Sequence, residues 1–190
     1  GAFSDCTSLT SIAIPDSVTS IGDSAFSGCT SLIEVDVPET VSSIGNSCFA
    51  GCKNLSKVIL RNENLEFGTF VFNDCTNLFT AGPIGKTDRD GYPLNIEYSW
   101  KIVLPDYTFA AGSNQSKLSE VILPDTLTTI GRNAFQNTKI ETIELPPNLH
   151  TIREKAFVYS NLDSISIPAS VKNIEQGAFS YCRALYNIKL

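Results

Sequence analysis

The amino-acid sequence predicts a β-rich solenoid of about eight stacked coils, each 22 or 23 residues long and each containing a short helical or 3₁₀ turn. Three observations predict this architecture. Phenylalanine recurs at a constant step from Phe3 to Phe72, and at a step one position shorter from Phe135 to Phe179. Leucine, β-branched residues and proline follow the phenylalanines in a fixed order, and a glycine often closes the unit. The recurring phenylalanines are Phe3, Phe26, Phe49, Phe72, Phe109, Phe135, Phe157 and Phe179.

Each coil is predicted to contain a short strand that ends at a proline. In the first coil, residues 11–14 alternate small or polar side chains with isoleucine, and this period of two is typical of a half-buried strand. Pro15 ends the strand because proline has no N–H group to donate to a ladder. Asp16 and Ser17 then supply side chains that favour a turn.

A second extended segment and a turn complete the coil. Val18 and Ile21 place apolar side chains three positions apart, and Gly22 is predicted to permit a tight or left-handed backbone. Residues 24–29 are too few for a stable helix, so we predict that they form one helical or 3₁₀ turn.

The coils are predicted to stack, because one coil alone cannot bury its own apolar side chains. Ile12, Phe26 and Leu32 have equivalents one repeat later along the chain. In stacked coils these equivalents lie about 4.8 Å apart, which is the spacing of neighbouring strands. Each repeated position therefore becomes a buried column.

The repeated order of residues also resembles that of a known family. The second coil reads Ala25-Phe26-x-x-Cys29-x-x-Leu32-x-x-Val35-x-Val37-Pro38-x-x-Val41-x-x-Ile44-Gly45. This motif resembles the BspA-type leucine-rich repeat, also called the Treponema pallidum type, over nearly the whole chain. The resemblance implies a right-handed leucine-rich repeat solenoid with a strand sheet on one face. It also implies a secreted or cell-surface protein, mostly of bacteria, that adheres to host or microbial surface proteins and has no catalytic residue in its motif.

One segment interrupts the repeat. The separation between Leu78 and Phe109 exceeds that between the equivalent Leu9 and Phe26 by more than half a coil. We therefore predict an irregular insertion over residues 79–104, between a first block of repeats at 1–78 and a second block at 105–190, in one continuous domain. Insertions in repeat proteins form loops on one face, which is often the binding face.

The insertion contains the candidate binding residues, which are Arg89, Tyr92, Tyr98 and Trp100. Arginine and aromatic side chains are enriched at binding hot spots, so these residues are candidates for recognising a partner. The alternative is that Tyr98 and Trp100 only cap the hydrophobic column where the coil is distorted.

A calcium site in the insertion is not predicted. The acidic residues Asp88 and Asp90 are spaced like part of an EF-hand loop, but Lys86 occupies the first ligand position and a cation cannot ligate calcium. We interpret the two aspartates as solvated turn residues.

Composition argues against several other functions. The chain has 14 basic and 20 acidic residues, a formal charge of -6, which disfavours binding to nucleic acid. It has no run of eighteen apolar residues, so no membrane insertion is predicted for this fragment. The single histidine, His150, has no orienting carboxylate near it in sequence, and neither a metal signature nor a phosphate-binding glycine loop appears. We predict no catalytic residue, no metal and no cofactor.

The cysteines are predicted to be buried free thiols. Cys6, Cys29, Cys52 and Cys75 occupy one repeated position and therefore form a ladder. Stacked neighbours have parallel Cβ vectors, which disfavour the geometry of a disulfide.

The function favoured by these observations is a surface-exposed or secreted protein-interaction and adhesion module without catalytic activity. One alternative is a passive structural spacer in a larger cell-surface protein. The other is a glycan-binding module that uses the aromatic insertion. Because the chain lacks methionine and begins within a repeat, we also expect it to have been cut from a longer precursor or trimmed of its leader.

Overall fold

The computed structural model describes residues 1–98, 102–112 and 116–190. Within these ranges the chain forms fourteen short β-strands and no helix. The strands are β1 (Ser20–Ile21), β2 (Glu34–Val37), β3 (Ser43–Ile44), β4 (Lys57–Leu60), β5 (Glu66–Phe67), β6 (Thr80–Pro83), β7 (Ile96–Tyr98), β8 (Val103–Leu104), β9 (Glu120–Val121), β10 (Thr129–Ile130), β11 (Thr151–Ile152), β12 (Ser164–Ser166), β13 (Asn173–Ile174) and β14 (Asn187–Lys189).

The named strands pair in parallel, on two faces of the coils. The first, which we name the sheet face, contains a five-stranded sheet in the order β2-β4-β7-β6-β9 and the pair β12-β14. The second face contains the sheets β1-β3-β5 and β13-β11-β10-β8. Val35 lies opposite Val58 and Ile165 opposite Ile188, so the register of these pairs follows the sequence repeat. The predicted stacking of equivalent positions is therefore confirmed.

The phenylalanine column runs through the core. The ring centroids of Phe26 and Phe49 are 5.4 Å apart, those of Phe49 and Phe72 are 5.9 Å apart, and each pair is nearly parallel. Phe135 and Phe157 stack in the same way at 4.9 Å. Burial of these rings stabilises the fold together with the buried leucine, isoleucine and valine side chains, since each fully buried large apolar side chain contributes about 1.5–3 kcal/mol.

The prediction of a helical or 3₁₀ turn in each coil is wrong. Residues 24–29 instead form consecutive turns, in which the Cys29 N–H donates to the Phe26 carbonyl at 3.2 Å. Ser24 and Gly28 have positive φ angles of 52° and 72°, which a right-handed helix cannot contain. In this conformation the Phe26 N–H donates to the Cys48 carbonyl of the next coil at 2.8 Å. The turns therefore add a third ladder of hydrogen bonds between coils, beside those of the two faces of strands.

Two strands of the insertion, β6 and β7, enter the five-stranded sheet in the reverse of their chain order. β7 lies between β4 and β6, with Glu97 opposite both Ile59 and Gly82. Asn95 fixes this arrangement, because its side chain donates to the Ser56 carbonyl at 2.8 Å and accepts from the Thr80 N–H at 3.2 Å. The insertion therefore adds one extra strand to the sheet face.

The cysteine ladder satisfies carbonyl groups between coils. The Cys29, Cys52 and Cys75 thiols each donate to the carbonyl of a phenylalanine one coil earlier, at 3.1 Å. All six cysteines are free thiols, and five are buried as predicted. Cys6, in the first coil of the described residues, is exposed, which corrects the prediction for that residue.

Burial raises the pKa of the Cys52 thiol from its ordinary 9.0 to about 12. An unfolded chain loses this proton near pH 9 and the folded chain keeps it, so the contribution of the thiol to stability is present below pH 9 and is lost between pH 9 and 12. We expect the stability difference between the wild type and Cys52→Ala, measured by urea unfolding, to shrink as the pH rises from 8 to 10.5. A stability difference that stays the same from pH 8 to 10.5 would contradict the raised pKa of Cys52.

Candidate binding groove on the sheet face

The insertion folds back over the sheet face and forms a raised wall there. Leu94 is 1% exposed although it lies outside the coil, because its side chain covers Gly82. A Cβ atom at Gly82 would lie 2.7 Å from the Leu94 Cδ1 atom, so a side chain at this position would displace Leu94. The sequence did not predict a buried role for Leu94.

An ion pair holds the base of this wall. The Lys57 ammonium contacts the Glu97 carboxylate and donates to the Leu94 carbonyl at 3.1 Å. Burial lowers the pKa of Lys57, and the charge of Glu34 opposes this effect. The other oxygen of Glu97 accepts the Gly85 N–H at 3.2 Å. One carboxylate therefore joins a strand of the first repeat block to both ends of the inserted loop.

The tip of the wall is ordered by Asp88 and attached to strand β9. The Asp88 carboxylate accepts the N–H groups of Asp90 and Tyr92 at 3.0 and 2.8 Å, in keeping with the predicted turn role. The Arg89 N–H donates to the Glu120 carboxylate at 2.9 Å, and the Arg89 guanidinium lies 3.5 Å from the same group. The loop is thus fixed against the second repeat block.

A groove of about 820 Å³ lies beside this wall, along the sheet face of the second repeat block. Residues 87–89 form its side. Its floor consists of alternate, outward-facing side chains of successive coils. Among them are Glu120, Ile122, Thr142, Glu144, Ser164, Ser166, Asn187 and Lys189.

The groove is mixed in character and acidic in sum. Four carboxylates and two cations line it, and Ile122 and Leu145 add apolar surface to the floor. The outward-facing positions agree with the alternation in the sequence, which places residues i and i+2 of a strand on one face. A periodic groove with charged and apolar positions suits an extended or elongated partner better than a small molecule.

Only part of the predicted site is exposed, and of its residues only Arg89 lines the groove in the described part of the chain. The Arg89 side chain is 81% exposed, and Tyr92 is 69% exposed on the same loop. Trp100 lies outside the described residues. Tyr98 is 1% exposed, and its hydroxyl donates to the Ile122 carbonyl. Tyr98 is therefore a core residue whose ring is not presented to a partner, and burial raises the pKa of its hydroxyl.

The described residues contain no group of three or more side chains suited to holding a metal ion. His150 is exposed. Over the same ranges, no helix long and apolar enough to cross a bilayer is present.

Comparisons with known proteins agree with this fold. Residues 1–82 and 103–190 match the model of the BspA type leucine-rich repeat region, in six copies. No curated protein matches the chain.

Two solved structures resemble the chain over almost its full length. A leucine-rich repeat protein from Bacteroides ovatus is 27% identical, with a TM-score of 0.70, and the match covers 97% of this chain and 43% of that one. A leucine-rich cell surface protein from Faecalibacterium prausnitzii is 24% identical, with a TM-score of 0.50, and the match covers 95% of this chain and 45% of that one. The chain thus spans less than half the length of these two proteins.

Proposed function

This chain belongs to the BspA-type leucine-rich repeat family, and from that membership we propose that it is a non-catalytic protein-interaction module of a secreted or cell-surface protein. In this proposal the coils form one continuous right-handed solenoid that presents its sheet face to a partner. The likeness to the cell surface protein of Faecalibacterium prausnitzii supports the proposed location.

The observation that carries the proposal is the groove with its fixed wall. Contacts to Glu97 and Glu120 hold the inserted loop in place, so the loop is preorganised and little entropy is lost when a partner binds. The excess of carboxylates favours a partner segment that carries basic residues, because complementary charge raises the association rate and fixes register.

A protein partner is favoured over a glycan. The lining of the groove in the described part of the chain includes no aromatic ring on which a sugar could stack. Tyr98, one of the aromatic residues on which the glycan alternative depended, is buried. Arg89 remains in the proposal as a residue that lines the groove, and Tyr92 remains as an exposed residue of the same loop.

The test uses one pair of charge reversals. Glu144 lines the groove, whereas Glu39 is an exposed glutamate outside the groove, so Glu144→Lys and Glu39→Lys make the same charge change at two places. Binding of the immobilised chain to purified host matrix proteins and microbial surface proteins is measured by biolayer interferometry. We expect Glu144→Lys to weaken the bound partner about tenfold or more, equivalent to ~1.4 kcal/mol. Tyr92→Ala should weaken it as well, and Glu39→Lys should leave the affinity unchanged.

Two results would count against the proposal. If no protein binds at micromolar concentration, the spacer alternative is favoured. If Glu144→Lys and Glu39→Lys weaken binding equally, the effect comes from net charge and not from the groove.

A further inference from the structure

Two charged side chains on the floor of the groove have no ion pair within the described part of the chain. Glu120 is bonded to Arg89 of the wall. The side chains of Glu144 and Lys189, by contrast, are exposed and make no ion pair there. Both line the groove, with Ser166 between them. An anion and a cation at fixed places on one surface favour a partner that carries the opposite charges in the same order.

The repeat fixes the separation of these two charges. Ser166 lies opposite Lys189 in the register of β12 and β14. Glu144 occupies the equivalent position one coil earlier, and the Asp163 N–H donates to the Glu141 carbonyl at 2.9 Å between these two coils. The three positions therefore form one column, and at about 4.8 Å per coil its two charges lie about 10 Å apart.

This separation suits a helix, and not a strand, that runs along the column. Residues i and i+7 of an α-helix lie on one face about 10.5 Å apart, because each residue rises about 1.5 Å. In an extended strand, side chains on one face recur about every 6.8 Å, and the residue about 10 Å away points in the opposite direction. A strand therefore cannot place side chains of one face over both charges.

The position before Glu144 in the same column is apolar. Ile122 lines the groove one coil earlier, and the coil spacing places it about 4.8 Å along the column from Glu144. The residue of a partner helix that meets Ile122 is thus one turn from the residue that meets Glu144. Ile122 is only partly buried, so a large apolar side chain on the partner would remove more of its surface from water.

We propose that the groove binds an α-helix of a partner protein, which lies along the stacked coils and presents one stripe of side chains to the floor. The stripe is apolar at position i−3, basic at i and acidic at i+7, opposite Ile122, Glu144 and Lys189. Helices that bind in grooves are recognised through anchors at such turn spacing. This inference rests on the proposed function of the groove, because it names the class of partner that the groove accepts.

The test uses two labelled helical peptides of the same composition. The first carries leucine at i−3, lysine at i and glutamate at i+7 in an alanine- and glutamine-rich sequence of about 16 residues, and a hydrocarbon staple away from this stripe keeps it helical, because short helices are marginal in water. The second has its glutamate at i+5, which lies on the other side of the helix. Binding to the intact chain is measured by fluorescence anisotropy, and circular dichroism checks that both peptides are helical.

We expect the first peptide to bind saturably and the second to bind about tenfold more weakly, because only the first places its glutamate over Lys189. Equal binding of the two peptides, or no saturable binding of either, would overturn the proposal.

Exchanging charges between peptide and groove identifies the pairs. Glu144→Lys should weaken binding of the first peptide about tenfold, and a peptide with glutamate in place of its lysine should restore the affinity for this variant but not for the wild type. Lys189→Glu should respond in the same way to a peptide with lysine at i+7. Lys53→Glu is the matched control, because Lys53 is exposed and does not line the groove, and it should leave binding of the first peptide unchanged.

Failure of the exchanged charges to restore binding would also overturn the proposal. The proposed function fails separately. If the peptides do not bind as expected but a host or microbial protein binds the chain and Glu144→Lys weakens it, the groove is a binding site and its partner is not such a helix.

Discussion

Replacing Phe49 by alanine is expected to lower the free energy of unfolding by about 3–5 kcal/mol, the usual cost of truncating a buried phenylalanine. The Phe49 ring is 0% exposed and has a parallel ring on each side, at 5.4 and 5.9 Å. The substitution removes the contacts on both sides and leaves a cavity in the middle of the column. Urea unfolding followed by circular dichroism measures the change.

Phe3→Ala is the matched control for this prediction. Phe3 belongs to the same column, but it is 42% exposed and stacks on Phe26 alone, at 5.3 Å. We expect a loss of about 1 kcal/mol or less, because a half-exposed side chain at the end of a stack leaves little cavity. Similar losses for Phe3 and Phe49 would mean that the column does not stabilise the fold as described.

Gly45→Ala is expected to cost about 1–3 kcal/mol through overpacking, whereas Gly22→Ala should change stability little. A Cβ atom at Gly45 would lie 2.4 Å from the Asp23 backbone nitrogen, and one at Gly22 would meet nothing within 4 Å. The close approach at Gly45 lets the Asp23 carboxylate accept the Asn46 N–H at 2.7 Å. Thermal unfolding of the two variants compares identical changes at equivalent positions, and an equal shift in both would contradict the explanation.

This contact also explains where the glycine column stops. Gly45, Gly68 and Gly131 each follow a coil in which an aspartate or asparagine accepts an N–H from the next coil. Arg153 and Glu175 stand where the glycine is expected. In the coils before them, the position of the aspartate or asparagine is occupied by Arg132 and Glu154, respectively. The sequence allowed Gly22 a tight or left-handed backbone, but the positive φ angles of the structure lie at other residues. The glycines are required because neighbouring coils approach closely.

The columns of the core could be predicted because each depends on a single repeated position. The spacing of Phe26 and Phe49 fixed their stacking, and the alternation in each strand fixed which side chains face outward. The turn conformation could not be predicted in the same way. Positive φ angles occur at Ser24, Ser47 and Phe70, and neither serine nor phenylalanine indicates such a conformation from its own propensity.

The insertion could be located from the sequence, but its pairing could not. Chain order alone would place β6 beside β4, whereas Asn95 and Glu97 hold β7 between them. These contacts join residues 37 to 40 positions apart in the sequence. The 22- or 23-residue repeat gives no indication of contacts at such a separation. The burial of Tyr98 follows from the same pairing, because a residue in β7 lies inside the sheet and not on a loop.

The reversed order of β6 and β7 places the wall beside the groove, so the strand order is the point to measure. An isotope-edited NOESY spectrum of the intact chain tests it directly. We expect cross-strand contacts between the backbone protons of Ile59 and Glu97 and between those of Glu97 and Gly82. Direct contacts between Ile59 and Gly82 would place β6 next to β4, and the groove wall described above would then not exist.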